Sequence, residues 1–360
     1  MSVYDILVLV LLFSVVFSCV NTKVNSIMTM FCLIFVYFVV SFRGIDVDRD
    51  AFVYQKVFID LSSISFSEIS AFSSSMGQEI GFIFLMKIFN IIGFDFFGFR
   101  LFYNLLCLLS LTYLLFKYIP NKFRLISYLI YVAMFLLFRD FTQIRFCLAC
   151  LLSMIAILKS FEGNYKQGII ITFVAILFHN TALITIPVII FISIFKDNKI
   201  YTTVFAVFLL IVCFIISKVD LIGYIISMPF MPHQLTRYVD TEDLSSSSYF
   251  GIGFFVSSAI CLILSFDSKE IYKNVSYKFL YLIMLFSACA SILFHHTPIL
   301  MRMQLLLFTG IIFFPSIFYN IYLPKKAYVN YVYQISLTII FILYFYKNLS
   351  SGIVYQYGVY

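Results

Sequence analysis

Apolar residues in this chain come in runs that are long enough to cross a lipid bilayer. The continuous runs cover 3–20, 25–42, 96–116, 123–138, 141–158, 200–217, 249–266, 279–294, 299–319 and 328–346. A further stretch, 167–195, is longer than one crossing and is interrupted around His179, which predicts two short helices over 167–178 and 181–195. Because a helix needs about 20 residues to cross about 30 Å of hydrocarbon, the pattern predicts about twelve transmembrane helices, within a range of eleven to thirteen.

The segments between these runs predict a single membrane domain over 1–360 with two long outward loops, 43–95 and 218–248. The first loop contains an apolar segment, 81–92, which carries Lys87. A segment of about 12 residues is short for a crossing and typical of a re-entrant segment. A crossing there would also place the loops on either side of it on the wrong faces, so we predict a re-entrant segment.

Composition agrees with an all-α polytopic integral membrane protein. Hydrophobic residues make up 63% of the chain and charged residues 11%, against about 25% charged in soluble domains. The eight cysteines lie in apolar runs, so we expect no disulfide. Cys147 and Cys150 lack a second cysteine pair or histidine at ligand spacing, so no metal site is predicted. The chain has no nucleotide-binding motif, and no cofactor is predicted.

Lysine and arginine separate across the predicted membrane. Short basic loops mark the cytoplasmic side, and they hold Lys23, Lys117, Lys122, Lys159, Lys166, Lys196, Lys199, Lys269, Lys273, Lys278, Lys325 and Lys326. Every arginine except Arg124 falls on or near the opposite side. Arginine grips phosphate or carboxylate with two parallel hydrogen bonds, which favours an outward site for an anionic, phosphorylated ligand. The net charge of +7 reflects the cytoplasmic lysines and does not indicate nucleic-acid binding.

Arg43 is the first candidate, at the predicted membrane exit after the second span. Gly44 lets the backbone turn tightly there, and Arg43 can pair with Asp46 while one edge of its guanidinium stays open to a ligand. An ordinary solvated loop is the alternative, because charged residues are mostly found on surfaces.

Glu79 and Arg145 are the next candidates. Glu79 lies at the lip of the predicted re-entrant segment, where a carboxylate can serve as a general base or acid; capping the short helix is the alternative. Arg139 and Gln143 are spaced to share a helical face. Arg145 enters the next span, where an arginine costs about 2.5–3.5 kcal/mol and is therefore a functional candidate.

His179 occupies the interruption in the stretch 167–195. Irregular backbone at membrane depth is tolerated only against protein or a water-filled cavity, and a neutral imidazole there can take a proton from a sugar hydroxyl. A buried packing residue is the alternative. Arg302 follows the adjacent pair His295 and His296, which is a poor metal chelate, so Arg302 is the stronger candidate there.

These candidates form an ordered set of motifs. Arg43-Gly-x-Asp46 with Tyr54, Glu79-x-Gly-Phe, Gln143-x-Arg145 with Ala149, His179-x-Thr181-Ala-Leu and Arg302 resemble the motifs of the EpsG-type membrane polymerases, which include O-antigen (Wzy-type) polysaccharide polymerases. The resemblance covers about residues 1–320. Thr181 stands where the family commonly has serine, which keeps the hydroxyl, and Val47-Asp48 replaces the family's small polar residue after Asp46.

The resemblance implies a GT-C-like glycosyltransferase in the bacterial inner membrane, with its active site facing the periplasm. Its donor and acceptor would be undecaprenyl-pyrophosphate-linked oligosaccharides, and its further partners membrane lipid and a chain-length regulator. Arg43, Arg145 and Arg302 are expected on the pyrophosphate, with His179 or Glu79 as the base. The remaining candidates for substrate contact are Asp46, Tyr54, Gln143 and Arg139. O-antigen ligase, flippase or transporter, and membrane acyltransferase remain the alternatives.

Overall fold

The computed structural model describes residues 2–20, 22–48, 50–195, 202–218, 251–266, 275–295 and 300–352, together with 354 and 357. Its elements are helices, as the apolar pattern predicts. The α-helices are α1 (Val3–Val20), α2 (Thr22–Ser41), α3 (Ala51–Asp60), α4 (Ile69–Met76), α5 (Ile80–Ile92), α6 (Phe96–Tyr118), α7 (Arg124–Tyr131), α8 (Ile144–Phe161), α9 (Tyr165–Phe178), α10 (Thr185–Phe195), α11 (Thr203–Lys218), α12 (Ile252–Phe266), α13 (Val275–Leu293), α14 (Met301–Phe308), α15 (Phe314–Tyr322) and α16 (Ala327–Leu349).

Two departures from regular α-helix frame the candidate residues. Helix α7 continues as a π-helix over Val132–Thr142, and π-helical turns are rare and frequently lie at functional sites. A 3₁₀ segment, Asn180–Ile184, separates α9 from α10. The predicted interruption at His179 is therefore confirmed as a break between two helices.

Seven helical stretches in the described part of the chain are long and apolar enough to cross a membrane. They are Val24–Ser41, Phe96–Tyr118, Asn121–Thr142, Ile144–Phe161, Val275–Leu293, Met301–Tyr322 and Ala327–Leu349. Shorter apolar helices are Val3–Ser18, Ile80–Ile92, Tyr165–Phe178, Asn180–Phe195, Thr203–Lys218 and Ile252–Phe266. The chain is thus a multi-pass membrane protein, and each predicted span coincides with an apolar helix. The number of crossings, the single domain and the GT-C likeness stay predictions.

The polar stretch after α2 is not an extended loop. It contains α3 and α4, because Tyr54, Val57 and Phe58 line up at helical spacing and are buried on one face of α3. Gly77 ends α4 at a φ of +63°, a left-handed conformation that glycine adopts without strain. The other predicted outward loop, 218–248, lies outside the described residues apart from Lys218.

The chain divides by its internal contacts into two compact units. The first unit comprises Met1–Leu152, Val174–Asn180 and Ile312–Tyr360, and the second comprises Ser153–Phe173 and Thr181–Ile311. Most of the candidate residues fall in the first unit. Arg302 falls in the second.

An aromatic core joins α3, α4 and α5 to α6 and α8 within the first unit. Its members are Tyr54, Val57, Phe58, Leu61, Ile69, Phe82, Ile83, Met86, Phe96, Phe99, Tyr103, Ile144 and Leu148. The Phe82 ring lies at the centre, with centroids 5.5 Å from Tyr54, 5.5 Å from Phe99 and 5.3 Å from Tyr103. Edge-to-face pairs of this kind add to the stabilisation from burial.

Lys87 shows how a charged residue is accommodated on the apolar helix α5. Its ammonium is buried and donates to the Leu61 carbonyl at 2.8 Å. One turn further on, the Asn90 amide donates to the Phe58 carbonyl at 3.3 Å. Both bonds satisfy backbone acceptors at the C-terminal end of α3 and so fix α5 against α3.

A buried polar seam ties three helices of the second unit together. Gln304 on α14 donates to Ser287 on α13 at 3.1 Å, and Ser257 on α12 donates to the same hydroxyl at 3.0 Å. A Cβ on Gly253 would lie 2.6 Å from the Gln304 amide nitrogen, so glycine makes room for this seam. Small and polar residues commonly bring membrane helices together in this way.

Candidate functional site

An ion pair between Glu79 and Arg145 is the centre of the candidate site. Glu79 precedes α5 and Arg145 lies in the first turn of α8, and Arg145 Nη1 donates to Glu79 Oε2. Both side chains are partly exposed, Arg145 by 16% and Glu79 by 10%. Although Glu79 occupies the N-cap position of α5, its side chain makes no capping hydrogen bond. The helix-capping alternative is therefore wrong.

Arg145 keeps one edge open. Its Nε donates to the Tyr54 hydroxyl at 3.5 Å, and Nη1 is taken by Glu79. No hydrogen bond with a described residue engages Nη2. Because the side chain is also partly accessible, Nη2 is available to an incoming acceptor such as a phosphate oxygen.

Aromatic rings hold the Arg145 guanidinium in place. Its carbon lies 5.5 Å from the Tyr54 ring centroid and 5.6 Å from that of Phe82, both within the range of cation–π attraction. Burial raises the pKa of the Tyr54 phenol above its ordinary value. Tyr54 is therefore a neutral hydroxyl at physiological pH, able to accept from Arg145 and to donate elsewhere.

The break after α9 completes the site. Glu79 Oε1 accepts a hydrogen bond from the Asn180 backbone N–H at 3.2 Å. His179, the preceding residue, is buried, with its ring centroid 5.1 Å from that of Phe146. The break after α9 therefore leaves the Asn180 N–H outside the helix, where it binds the Glu79 carboxylate. His179, the predicted histidine, is the residue directly before this donor.

Gly81 allows α5 to approach α9 this closely. A Cβ at this position would lie 2.7 Å from both the Cβ and the carbonyl oxygen of Leu177. Real Cβ atoms essentially never come so close, so the glycine in the Glu79-x-Gly81 motif is required by packing. Gly81 is two residues from Glu79 and Leu177 three residues from Asn180, so this contact also sets the Glu79–Asn180 hydrogen bond.

Arg43 is placed differently from the prediction. Its guanidinium pairs with Asp48 at 2.9 Å, and its two terminal nitrogens donate to the carbonyls of Val40 and Phe141. Asp46 is exposed instead. The predicted Arg43–Asp46 pair is therefore wrong, and the edge of Arg43 expected to stay open to a ligand is taken by backbone carbonyls.

Arg139 and Gln143 do not share a helical face. The π-helix ends at Thr142, and Gln143 has non-helical backbone angles of φ −109° and ψ 60°. Arg139 is buried, with its guanidinium carbon 4.2 Å from the Phe135 ring centroid and its Nε 3.7 Å from Asp140. Gln143 is half-buried at the junction that leads to Arg145.

Asp140 lines a small cavity. The cavity has a volume of about 40 Å³ and is lined among others by Asp140, Tyr131, Tyr128, Asn104 and Cys147. The Tyr131 hydroxyl donates to Asp140 at 3.0 Å. Of these lining residues, Cys147 was considered from the sequence, and only as a metal ligand.

Arg302 lies in the first turn of α14 and is half-buried within the second unit. Its predicted contact with pyrophosphate stays a prediction. Among the described residues, no cluster of three or more histidine, cysteine or acidic side chains is arranged to hold a metal ion.

Asp48 and Asn180 are the site residues that sequence reasoning missed. Asp48 carries a local signal, because its Oδ1 accepts from the N–H groups of Asp50 and Ala51 at 3.0 and 2.8 Å at the start of α3. An aspartate just before an apolar-periodic segment is a helix-start signal. Asn180 contributes its backbone N–H. Every residue except proline has this group, so the sequence carries no signal for the contact.

The fold and site together define a multi-pass membrane protein with a charged site formed by an arginine, a glutamate and a histidine-containing helix break. The family model for the EpsG family matches residues 26–359. The chain therefore belongs to the EpsG family, and with it to polysaccharide-polymerase-type, glycosyltransferase-like membrane proteins. No curated protein and no solved structure matches this chain.

Proposed function

We propose that this protein polymerises a surface polysaccharide of the O-antigen type. In this reaction a growing glycan is transferred from undecaprenyl pyrophosphate to the non-reducing end of a new lipid-linked repeat unit, at the periplasmic face of the bacterial inner membrane and within a GT-C-like fold. The observation that carries the proposal is the meeting of Tyr54, Glu79, Arg145 and the turn at His179–Asn180, four segments far apart in the sequence, around one accessible arginine nitrogen.

The leaving group gives Arg145 its role. When the bond between the anomeric carbon and the pyrophosphate oxygen breaks, the electron pair leaves with the pyrophosphate and negative charge develops there. In this proposal Arg145 Nη2 donates to that charge, and the N-terminus of α8, where Arg145 lies, adds a positive partial charge. This stabilisation needs no metal ion or nucleotide sugar. Arg302 is proposed to bind a phosphate group of the lipid-linked substrate.

The acceptor needs a base. Its hydroxyl oxygen forms the new bond to the anomeric carbon, and its proton must leave. Glu79 is the first candidate for that proton, since its carboxylate is partly exposed and is positioned by Asn180. A pyrophosphate that binds Arg145 competes with Glu79 for the guanidinium, so donor binding would also release the carboxylate for proton transfer. His179 is the second candidate.

The other predicted contacts take secondary roles. Tyr54 orients Arg145 and can donate to a sugar or phosphate oxygen. Gln143 and Asp46 are proposed as contacts to the glycan because both are accessible, whereas the buried Arg139 is proposed to support them from within the fold. Membrane lipid surrounds the apolar helices, and a chain-length regulator is proposed as a partner.

The surface polysaccharide of a strain lacking this protein tests the proposal. A polymerase-deficient strain should display a single capped repeat unit, because ligation and translocation still operate. Complete loss of the glycan from the surface would point to a ligase or flippase and refute the proposal. Membranes of the complemented strain should also extend lipid-linked repeat units extracted from the deficient strain.

A further inference from the structure

We infer that Asp48 is a positioning residue of the site. Together with Arg43 it forms a buried clamp that holds Tyr54 against Arg145, and the inference rests on the proposed function. The clamp is defined as the pair Arg43–Asp48 together with its backbone acceptors at Val40 and Phe141. Arg145 is hydrogen-bonded to Tyr54 and Glu79 and to none of these groups.

The clamp is closed around Arg43. The exposed fraction of the side chain is 1% for Arg43 and 0% for Asp48. Asp48 accepts from Nε at 2.9 Å, and the carbonyls of Val40 and Phe141 accept from the other two nitrogens. Each of the three guanidinium nitrogens is therefore engaged inside the protein, and a side chain that is only 1% exposed presents no accessible donor to a pyrophosphate.

One arm of the clamp fixes Tyr54. The second carboxylate oxygen of Asp48 accepts from the N–H groups of Asp50 and Ala51, which open α3. Tyr54 follows Ala51 by three residues, so it lies about one turn along the same helix face. Arg43 fixes the position of Asp48, and Asp48 fixes the start of α3. The position of the Tyr54 hydroxyl, one turn along α3, therefore depends on Arg43.

The other arm fixes Arg145. Phe141, whose carbonyl accepts from Arg43, lies in the last residues of the π-helix and four residues before Arg145. The Phe141 ring also lies under the Arg43 guanidinium, with 5.2 Å between the ring centroid and the guanidinium carbon. Arg100 in turn donates to the Arg43 carbonyl. The clamp therefore joins the end of α2, the start of α3 and the turn before α8.

The chemistry of the site makes this geometry important. Arg145 Nε and the Tyr54 hydroxyl are already 3.5 Å apart, the limit of a hydrogen bond. A small shift of either element would break their contact and turn Nη2 away from the leaving group. Misplacement by about 1 Å can cost about a hundredfold in rate.

The test uses Asp48→Asn, which keeps an oxygen to cap α3 and removes the charge that Arg43 needs. Asp95→Asn is the matched control, because Asp95 also caps a helix, accepting from Gly98 N at 2.8 Å, but is exposed. Purified variants in liposomes are given lipid-linked repeat units extracted from the strain lacking this protein. We expect D48N to lower kcat by about tenfold to a hundredfold with KM little changed, and D95N to match the wild type.

A double mutant separates positioning from direct contact. If Arg43 acts only through the clamp, R43Q/D48N should lose no more than R43Q alone, because the two residues form one unit. Losses that multiply, or an R43Q variant whose KM alone rises, would mean that Arg43 contacts the donor and would overturn the inference. So would a D48N variant as active as the wild type.

Amide hydrogen exchange gives a readout that does not depend on polymerisation. D48N should speed exchange in both 51–58 and 141–147, whereas D95N should leave both segments unchanged; unchanged exchange in D48N would overturn the clamp. A wild-type protein that fails to extend the glycan refutes the proposed function, and exchange then still decides the clamp. Should D48N not accumulate as folded protein, R43K carries the same test, since an ammonium cannot reach all three acceptors in one plane.

Discussion

Two arginine–carboxylate pairs in the same unit are used in opposite ways. Arg43 and Asp48 are five residues apart in sequence and fully enclosed, with side chains 1% and 0% exposed. Arg145 and Glu79 are 66 residues apart and remain partly open, at 16% and 10%. The first pair presents no accessible donor, whereas the second keeps Arg145 Nη2 available.

Exposure of the guanidinium thus distinguishes an arginine that stabilises the fold of a membrane protein from one that can bind an anion. An enclosed pair in which every guanidinium nitrogen is engaged holds helices in register. Removing one partner lowers the free energy of unfolding, because the other charge is left buried without a partner. A partly open pair contributes little to stability by itself. Its open edge can instead bind an anion. The following changes test this comparison, beginning with the largest expected effect.

Arg43→Ala should lower the free energy of unfolding by about 3–5 kcal/mol, because Asp48 would be left charged and buried without its partner. Chemical or thermal unfolding of the purified protein in detergent measures the loss. A loss below about 1 kcal/mol, the size expected for a surface pair, would end the distinction between the two pairs.

Arg145→Lys should lower kcat by about 10²–10³, the cost of removing one fixed donor to a developing anion. The unfolding midpoint should stay close to that of the wild type, because lysine keeps the charge beside Glu79. The charge swap Arg145→Glu with Glu79→Arg is the sharper variant. Full activity of the swapped protein would show that the pair is structural only.

Gly81→Ala should destabilise the protein by about 1–3 kcal/mol, since its Cβ would meet the Leu177 backbone and force α5 away from α9. Activity should fall with it, because the Glu79–Asn180 contact depends on the same approach. Gly251→Ala is the matched control: a Cβ there has nothing within 4 Å. Equal stability of the two variants would remove the packing role of Gly81.

Tyr54→Phe should reduce activity about threefold to tenfold, the equivalent of one hydrogen bond of about 0.5–1.5 kcal/mol. Tyr103→Phe is the control, because the buried Tyr103 hydroxyl has no hydrogen-bond partner among the described residues and its removal should leave activity unchanged. Rates of glycan extension by the two variants decide between a role for the Tyr54 hydroxyl and general loosening of the aromatic core.

Local chemistry made much of the fold predictable. Hydrocarbon leaves no partner for backbone polar groups, so apolar runs of sufficient length must form helices, and their positions agree with the observed ones. The break at His179 was also readable. The helices α3 and α4 were not predicted, because their pattern is short and mostly polar, and their burial depends on Phe82 and Phe99, which lie elsewhere in the chain.

The candidate site was predictable in its members but not in their partners. Glu79, Arg145 and Tyr54 were expected to contribute chemistry, and the structure brings all three together. Whether Glu79 caps α5 or pairs with an arginine could be decided only from the structure, because the ion pair requires the start of α8 to lie beside the start of α5. The same holds for Gly81, whose necessity comes from Leu177.

Apolar run lengths and motif order are enough to identify a multi-pass helical membrane protein of the EpsG family, because both are local properties of the chain. Only the tertiary structure decided which carboxylate each arginine meets: Asp48 and not Asp46 for Arg43, and Glu79 for Arg145. The physical reason is that an ion pair depends on distance and burial. Both are set by helix packing between segments that sequence spacing does not relate.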